Sequence, residues 1–212
     1  MQNRPIILLE ACVETFDKAM VAEKNGAHRI EFCDRLDLGG KTPPTKLVQK
    51  LLNVIQIPVM VMVRPRGGDF VYTDAEFLEM QHQIILMKSL GCHGVVFGLL
   101  TPEGEIDVAR TKILTELARP MQVTFHKAFD ECPDLLVALN AIKTTKVDRL
   151  LTSGGKATAL EAADVLELLI KNAAQMPQIL VAGKVNHNNL DEHRVLIPSA
   201  KEFHGRKIVP GL

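Results

Sequence analysis

The sequence predicts an α/β chain closed into a (β/α)8 barrel of the TIM type, compact, with its last helix missing or truncated. Three observations point there. Eight short apolar runs recur at a spacing of about 28 residues, which suits a repeated strand-plus-helix unit. Residues able to do chemistry collect just after the runs, at what would be the C-terminal mouth of a barrel, while the opposite ends are plain. The competing open doubly wound sheet would carry a glycine-rich phosphate turn after its first strand, and here Cys12-Val13-Glu14 stands instead.

The runs lie at 6–12, 29–33, 59–64, 94–98, 122–126, 149–152, 179–182 and, more weakly, 201–204. The first closes on Glu10-Ala11-Cys12, and the helix after it begins near Glu14 and stops at Gly26. The second closes on Glu31-Phe32-Cys33 and leads to Gly39-Gly40. After the third, Thr73-x-x-Glu76 reads as a capping box, opening a helix whose Phe77, Met80, Ile84 and Met87 share one face and which Gly91 ends. Pro133 suits the first turn of the helix after the fifth run, and Thr158-x-x-Glu161 is a second capping box after the sixth. Past His204 the remaining residues are too few for a helix of normal length. The expectation is a stretch of bare barrel wall, or one covered by a second copy in a homo-oligomer.

The 212 residues are read as a single domain, 1–212. A chain of this size can bury about 70% of its unfolded surface without disulfide staples. Formal net charge is zero with Lys and Arg dispersed, and there is no Trp and one Tyr. Neither a basic patch nor a stacking platform for nucleic acid is present. No apolar stretch is long enough for a bilayer, and the N-terminus leads into a strand-like run rather than a signal peptide. A cytoplasmic protein is expected, with Cys12, Cys33, Cys92 and Cys132 as free thiols, since they lack zinc-type pairing. Cys92 and Cys132 read as structural, and His28, His82, His93, His187 and His193 as surface or loop residues.

The repeated Glu-x-Cys phrase is the main chemical signal. Residues i and i+2 of a strand share a face, so Glu10 accompanies Cys12 and Glu31 accompanies Cys33. On parallel neighbours about 4.8 Å apart, two thiols can share one soft, low-coordinate ion such as Cu(I). The bland alternative is that each cysteine is a small buried hydrophobe. Around them the strand ends offer Arg64 and Arg66 before Gly67-Gly68, His126 with Asp130 four residues on, Ser153, Lys184 and His204. Arginine grips carboxylate or phosphate in a fork. His126, oriented by Asp130, is the candidate general acid or base, with Glu31 and Glu10 as further proton-handling groups. Arg64, Arg66, Ser153, Lys184 and His204 would hold an anion. The bland readings are internal ion pairs for the carboxylates and arginines, and a helix cap for Asp130.

The segments Arg29-Ile-Glu-Phe-Cys-Asp34, Gly39-Gly-Lys-Thr-Pro43, Arg64-Pro-Arg-Gly-Gly-Asp-Phe70, Thr124-Phe-His-Lys-Ala-Phe-Asp130 and Leu151-Thr-Ser-Gly154 resemble, in order and through essentially the whole chain, the CutC family, named for copper homeostasis. The resemblance implies a cytosolic barrel that handles Cu(I), with Cys12 and Cys33 at the positions proposed as copper ligands; no established reaction comes with it. Two departures stand out. Lys184 occupies a position where the family commonly has glycine, and Pro44 follows Gly-Gly-x-Thr-Pro where serine is usual. Two functions follow: Cu(I) held by Cys12 and Cys33, or an isomerase-, aldolase- or lyase-like enzyme acting on a small anionic substrate, phosphorylated ones included, through Arg64, Glu31 and His126.

Overall fold

The computed structural model describes residues 7–174 and 176–212. Eight parallel strands close into a barrel in sequence order: β1 Leu8–Val13, β2 Arg29–Phe32, β3 Val59–Met62, β4 Gly94–Phe97, β5 Gln122–Phe125, β6 Arg149–Thr152, β7 Gln178–Val181 and β8 Glu202–Gly205. Seven helices intervene: α1 Phe16–Lys24, α2 Thr45–Leu52, α3 Asp74–Ser89, α4 Val108–Ala118, α5 Leu135–Lys143, α6 Ala163–Ala173 and α7 Leu190–Leu196. The strand expected at 6–12 is β1, though residue 6 lies outside the described residues.

Alternation along each strand divides the core in two. One set of side chains, among them Ile30, Phe32, Val61, Phe97, Phe125 and Phe203, packs outward against the helices. The other set points to the barrel axis, where Cys12, Cys33, Met60, Met62 and Val96 cluster on one side and Leu151, Leu180 and Ala182 on another. Fully burying a large apolar side chain contributes about 1.5–3 kcal/mol, so the outer set carries most of the stabilisation.

The helix signals resolve in detail. At α3 the Thr73 hydroxyl accepts from Glu76 N and the Glu76 carboxylate accepts from Thr73 N, the reciprocal box expected. Thr158 and Glu161 make the same exchange, but in the turn before α6 rather than at its first residue. Pro133 lies just outside α5, which Asp134 caps through Leu136 N and Val137 N. Pro44 occupies the N-cap of α2 and offers no side-chain cap.

No helix follows β8 among the described residues, as expected. The wall it would have covered is nevertheless not bare. Ile208 and Val209 are buried in the outer core, Phe203 beneath them is fully buried, and the Asn25 side chain donates to Pro210 O across 2.8 Å. The chain's own last turn closes the gap between β8 and α1, and the argument for a second copy at that wall loses its basis.

Candidate metal centre

The mouth opens at the C-terminal ends of the strands as a cavity of about 830 Å3, lined by residues that include Cys12, Glu31, Cys33, Met62, Arg64 and His204. Its chemistry starts from the register of β1 and β2. The two Glu-x-Cys phrases do not align. Glu10 lies opposite Arg29 and Cys12 opposite Glu31, so the second copy is displaced by two residues along the barrel. Cys33 stands one step beyond Cys12, its N–H donating to Val13 O. The result is a zigzag, Cys12–Glu31–Cys33, whose donor atoms all lie within 4.8 Å of one another and are buried. Met62 closes the same side, since a Cβ on Gly40 would touch both Cys33 Sγ at 3.4 Å and Met62 Cε at 3.5 Å.

Beneath the thiols runs a buried ion-pair chain. Arg29 bonds Glu10 and, across 2.6 Å, Glu202. Glu202 also accepts from Arg149 at 3.1 Å, and Arg149 reaches Gln122 at 2.7 Å. His204 Nδ1 lies 2.8 Å from Glu10 Oε1, and its Nε2 lies 3.5 Å from Glu31 Oε2. Burial works against the charge on His204, but Glu31, Cys12 and Glu10 together hold its pKa well above the ordinary value. Glu10 resists the same burial through the Arg29 charge and the His204 bond, and falls to about 2. Glu31 goes the other way, because burial and the Glu10 charge outweigh His204. The hydrogen bond to Cys33, burial and the Glu31 charge push the Cys12 thiol up, and Cys33 rises to about 11 through burial and Glu31 despite the bond from Cys12. Both sulfurs are therefore thiols until something displaces their protons.

The other sequence candidates separate. Arg64 lines the cavity with its guanidinium donating to the carbonyls of Leu38, Gly40 and Gly68, while Nε is buried without a partner. It does not pair with Glu31. Arg66 turns away from the cavity: it lies beyond the end of β3 at Met62, and Glu76 at 2.6 Å, Asp69 at 2.9 Å and the carbonyl of Val71 take its fork. His126 lines the cavity against Phe70, with ring centroids 4.8 Å apart. Asp130 does not orient it. That carboxylate is taken by the hydroxyls of Thr152 and Ser153 and by the N–H groups of Ser153 and Gly155, on β6 and the turn after it. His126 Nδ1 accepts from Ala128 N instead, and Nε2 is buried and unpartnered. Burial and the Arg64 charge depress its pKa to about 3, so the ring is neutral. Gly98 makes room for it, since a Cβ there would sit 2.4 Å from Nδ1. Ser153 is fully buried and its hydroxyl is shared between Asp130 and Lys156 O. Lys184 lines the mouth with a left-handed backbone, φ 59°.

The sequence reading missed Met62, Lys156, Arg206 and Lys207, all of which line the cavity. Their signal was positional: Lys156 follows Gly154-Gly155 after β6, and Arg206-Lys207 follow β8. Conversely His193, read as a surface residue, is buried.

The chain fits known proteins along nearly its whole length. Residues 7–209 match the model of the CutC family. The chain belongs to the CutC family. A human protein named copper homeostasis protein cutC homolog is 42% identical over 93% of this chain and 72% of its own length. A CutC family protein of Vibrio vulnificus strain CMCP6 is 40% identical over 92% of this chain and 79% of its own. The crystal structure of a CutC protein from Streptococcus agalactiae superposes with a TM-score of 0.91 at 29% identity, covering 96% of this chain and all of that one. Likeness to an aldolase, at a TM-score of 0.70 and 12% identity, speaks for the barrel alone.

For this CutC chain the donor set suits a soft ion. Two cysteine sulfurs suit a soft ion such as Cu(I) better than a hard cation. A closed four-coordinate structural zinc site would need one ligand beyond the Cys12–Glu31–Cys33 group.

Proposed function

We propose that this CutC chain is a cytoplasmic copper-handling protein that binds Cu(I) through Cys12 and Cys33, with Glu31 beside the ion. The observation that carries the reading is the convergence of three buried donor atoms within 4.8 Å at the barrel mouth. Binding exchanges the two thiol protons for one metal ion, so affinity rises with pH. The His204 cation faces the negative charge that a bis-thiolate Cu(I) complex brings. Self-association is part of the proposal, supported by exposed Leu78 and Ile85 on α3 and Ile113 on neighbouring α4; sedimentation at two concentrations tests it.

The test of the metal site is an anaerobic Cu(I) titration against a competing chelator, on wild type and on Cys12→Ser/Cys33→Ser, after circular dichroism shows both folded. One equivalent bound by wild type and a loss of about a thousandfold or more in the variant support the thiolate site. Equal binding in both removes it.

A second reading keeps support from one observation: Glu31 Oε1, Arg64 Nε and His126 Nε2 are buried, unpartnered and line the same cavity. Such atoms suit an enzyme acting on a small anionic substrate, with Arg64 binding and Glu31 or His126 moving a proton. Phosphate and sulfate titrations followed through the His126 ring resonances test it, and an unmoved ring counts against it.

A further inference from the structure

An ion held by Cys12 and Cys33 would fill only a corner of a cavity of about 830 Å3. Volumes of about 300–1,000 Å3 hold whole small molecules. The rest of the lining is lopsided in charge. Lys127, Lys156, Lys184, Arg206 and Lys207 line the mouth, with Arg64 also in its wall. Against them stand Glu31, Asp130 and Glu131. Glu31 is held beside His204, and Asp130 is consumed by hydroxyls, backbone N–H groups and the Lys127 ammonium at 3.7 Å. Among the described residues, no hydrogen bond or ion pair engages the ammonium groups of Lys156, Lys184 or Lys207. Two buried polar atoms of the cavity wall, Arg64 Nε and His126 Nε2, are also unmatched. Lys184 holds its place at φ 59°, a region that disfavours any residue with a Cβ and where strain gathers at functional sites.

One end of the cavity thus carries thiols and the rim carries unpaired cations. We propose that copper arrives as the Cu(I) complex of a small thiol that bears carboxylates, the carboxylates docking on Lys156, Lys184 and Lys207 while the sulfur-bound ion faces Cys12 and Cys33. The proposal rests on the copper reading of the same site and names the donor. Transfer is a ligand exchange at constant oxidation state. Two Cu–S bonds to the donor's thiolates break, two Cu–S bonds to Cys12 and Cys33 form, and the two cysteine protons leave on the donor's sulfurs as two neutral thiols. Charge and protons balance without an added oxidant or reductant. Rim charges of this kind act mainly on encounter rate and selectivity, and salt screens them.

The experiment has two arms. In the first, Cu(I) transfer from its glutathione complex, and from its complex with glutathione diethyl ester, is followed by stopped flow at low and high salt. The proteins are wild type and Lys184→Gly/Lys207→Ala; glycine suits the left-handed backbone at 184, so the fold is kept. Wild type takes copper about tenfold faster from the acid than from the ester at low salt, and the variant loses most of that preference while its equilibrium Cu(I) affinity is unchanged. A ratio near one in wild type, or a preference that survives in the variant, overturns the proposal. In the second arm S-methylglutathione, which keeps both carboxylates but has no free thiol, is titrated into metal-free protein by NMR. Binding that disappears with the diester and in the variant supports the carboxylate dock; no binding overturns it. If copper fails to bind but S-methylglutathione binds, the copper reading and the delivery step fall and the dock stands. If copper binds and the dock is silent, the dock alone falls.

Discussion

The two ends of the barrel interior treat polar atoms in opposite ways. Below the thiols, Gln122, Arg149, Glu202, Arg29 and Glu10 form a continuous chain, and no buried side-chain atom of theirs lacks a partner. At the mouth, Glu31, Arg64 and His126 each keep one buried atom unmatched. Leaving such a group unmatched costs about 1–3 kcal/mol. The contrast separates groups fully paired within the fold from groups that keep one buried atom unpaired. Both ends are rich in arginine and carboxylate, and composition alone would not separate them.

Three perturbations sharpen that contrast. The largest effect belongs to the closed end. Arg29→Ala leaves Glu10 with His204 alone and Glu202 with Arg149 alone, and destabilises the protein by about 3–5 kcal/mol, read as a lower urea midpoint. A loss under 1 kcal/mol would mean the chain relaxes and the distinction is overdrawn. The next concerns His126 at the open end. Its folded pKa of about 3 lies below the ordinary value of 6.5, so the unfolded chain binds the extra proton first. The His126 contribution to stability is then flat above 6.5 and falls by about 1.4 kcal/mol per pH unit as pH drops from there toward 3. Urea titrations of wild type and His126→Gln between pH 7 and 4.5 should diverge in slope accordingly, and parallel curves would show that the ring is not buried neutral. The smallest effect is expected at Arg66. Its pairs with Asp69 and Glu76 are partly exposed, so Arg66→Gln costs less than about 1 kcal/mol and leaves ligand binding unchanged, whereas Arg64→Gln alters it.

The barrel was legible because apolar periodicity and capping residues act locally: the Thr73–Glu76 box and the run of β-rich segments needed no distant partner. The site was legible as a place but not as a set of contacts. Spacing put His126 near Asp130, yet β6 captured Asp130 with Thr152 and Ser153, a long-range choice that no local pattern carries. Arg64 and Arg66 share a sequence parity, but β3 ends at Met62 before either, and Glu76, from the next helix, claims the second arginine. The gap after β8 read as open because residues 205–212 are too few for a helix of normal length; Ile208 and Val209 cover it without forming a helix.

The two-residue displacement between β1 and β2 has a wider meaning. If a strand and its helix are copied into the neighbouring position of a sheared barrel, the copies cannot be equivalent. One glutamate lands against an arginine that lowers its pKa, and the other lands between two sulfurs and holds its proton more tightly. Symmetry in the text is broken by the geometry of closure, so one repeated motif meets two different surroundings.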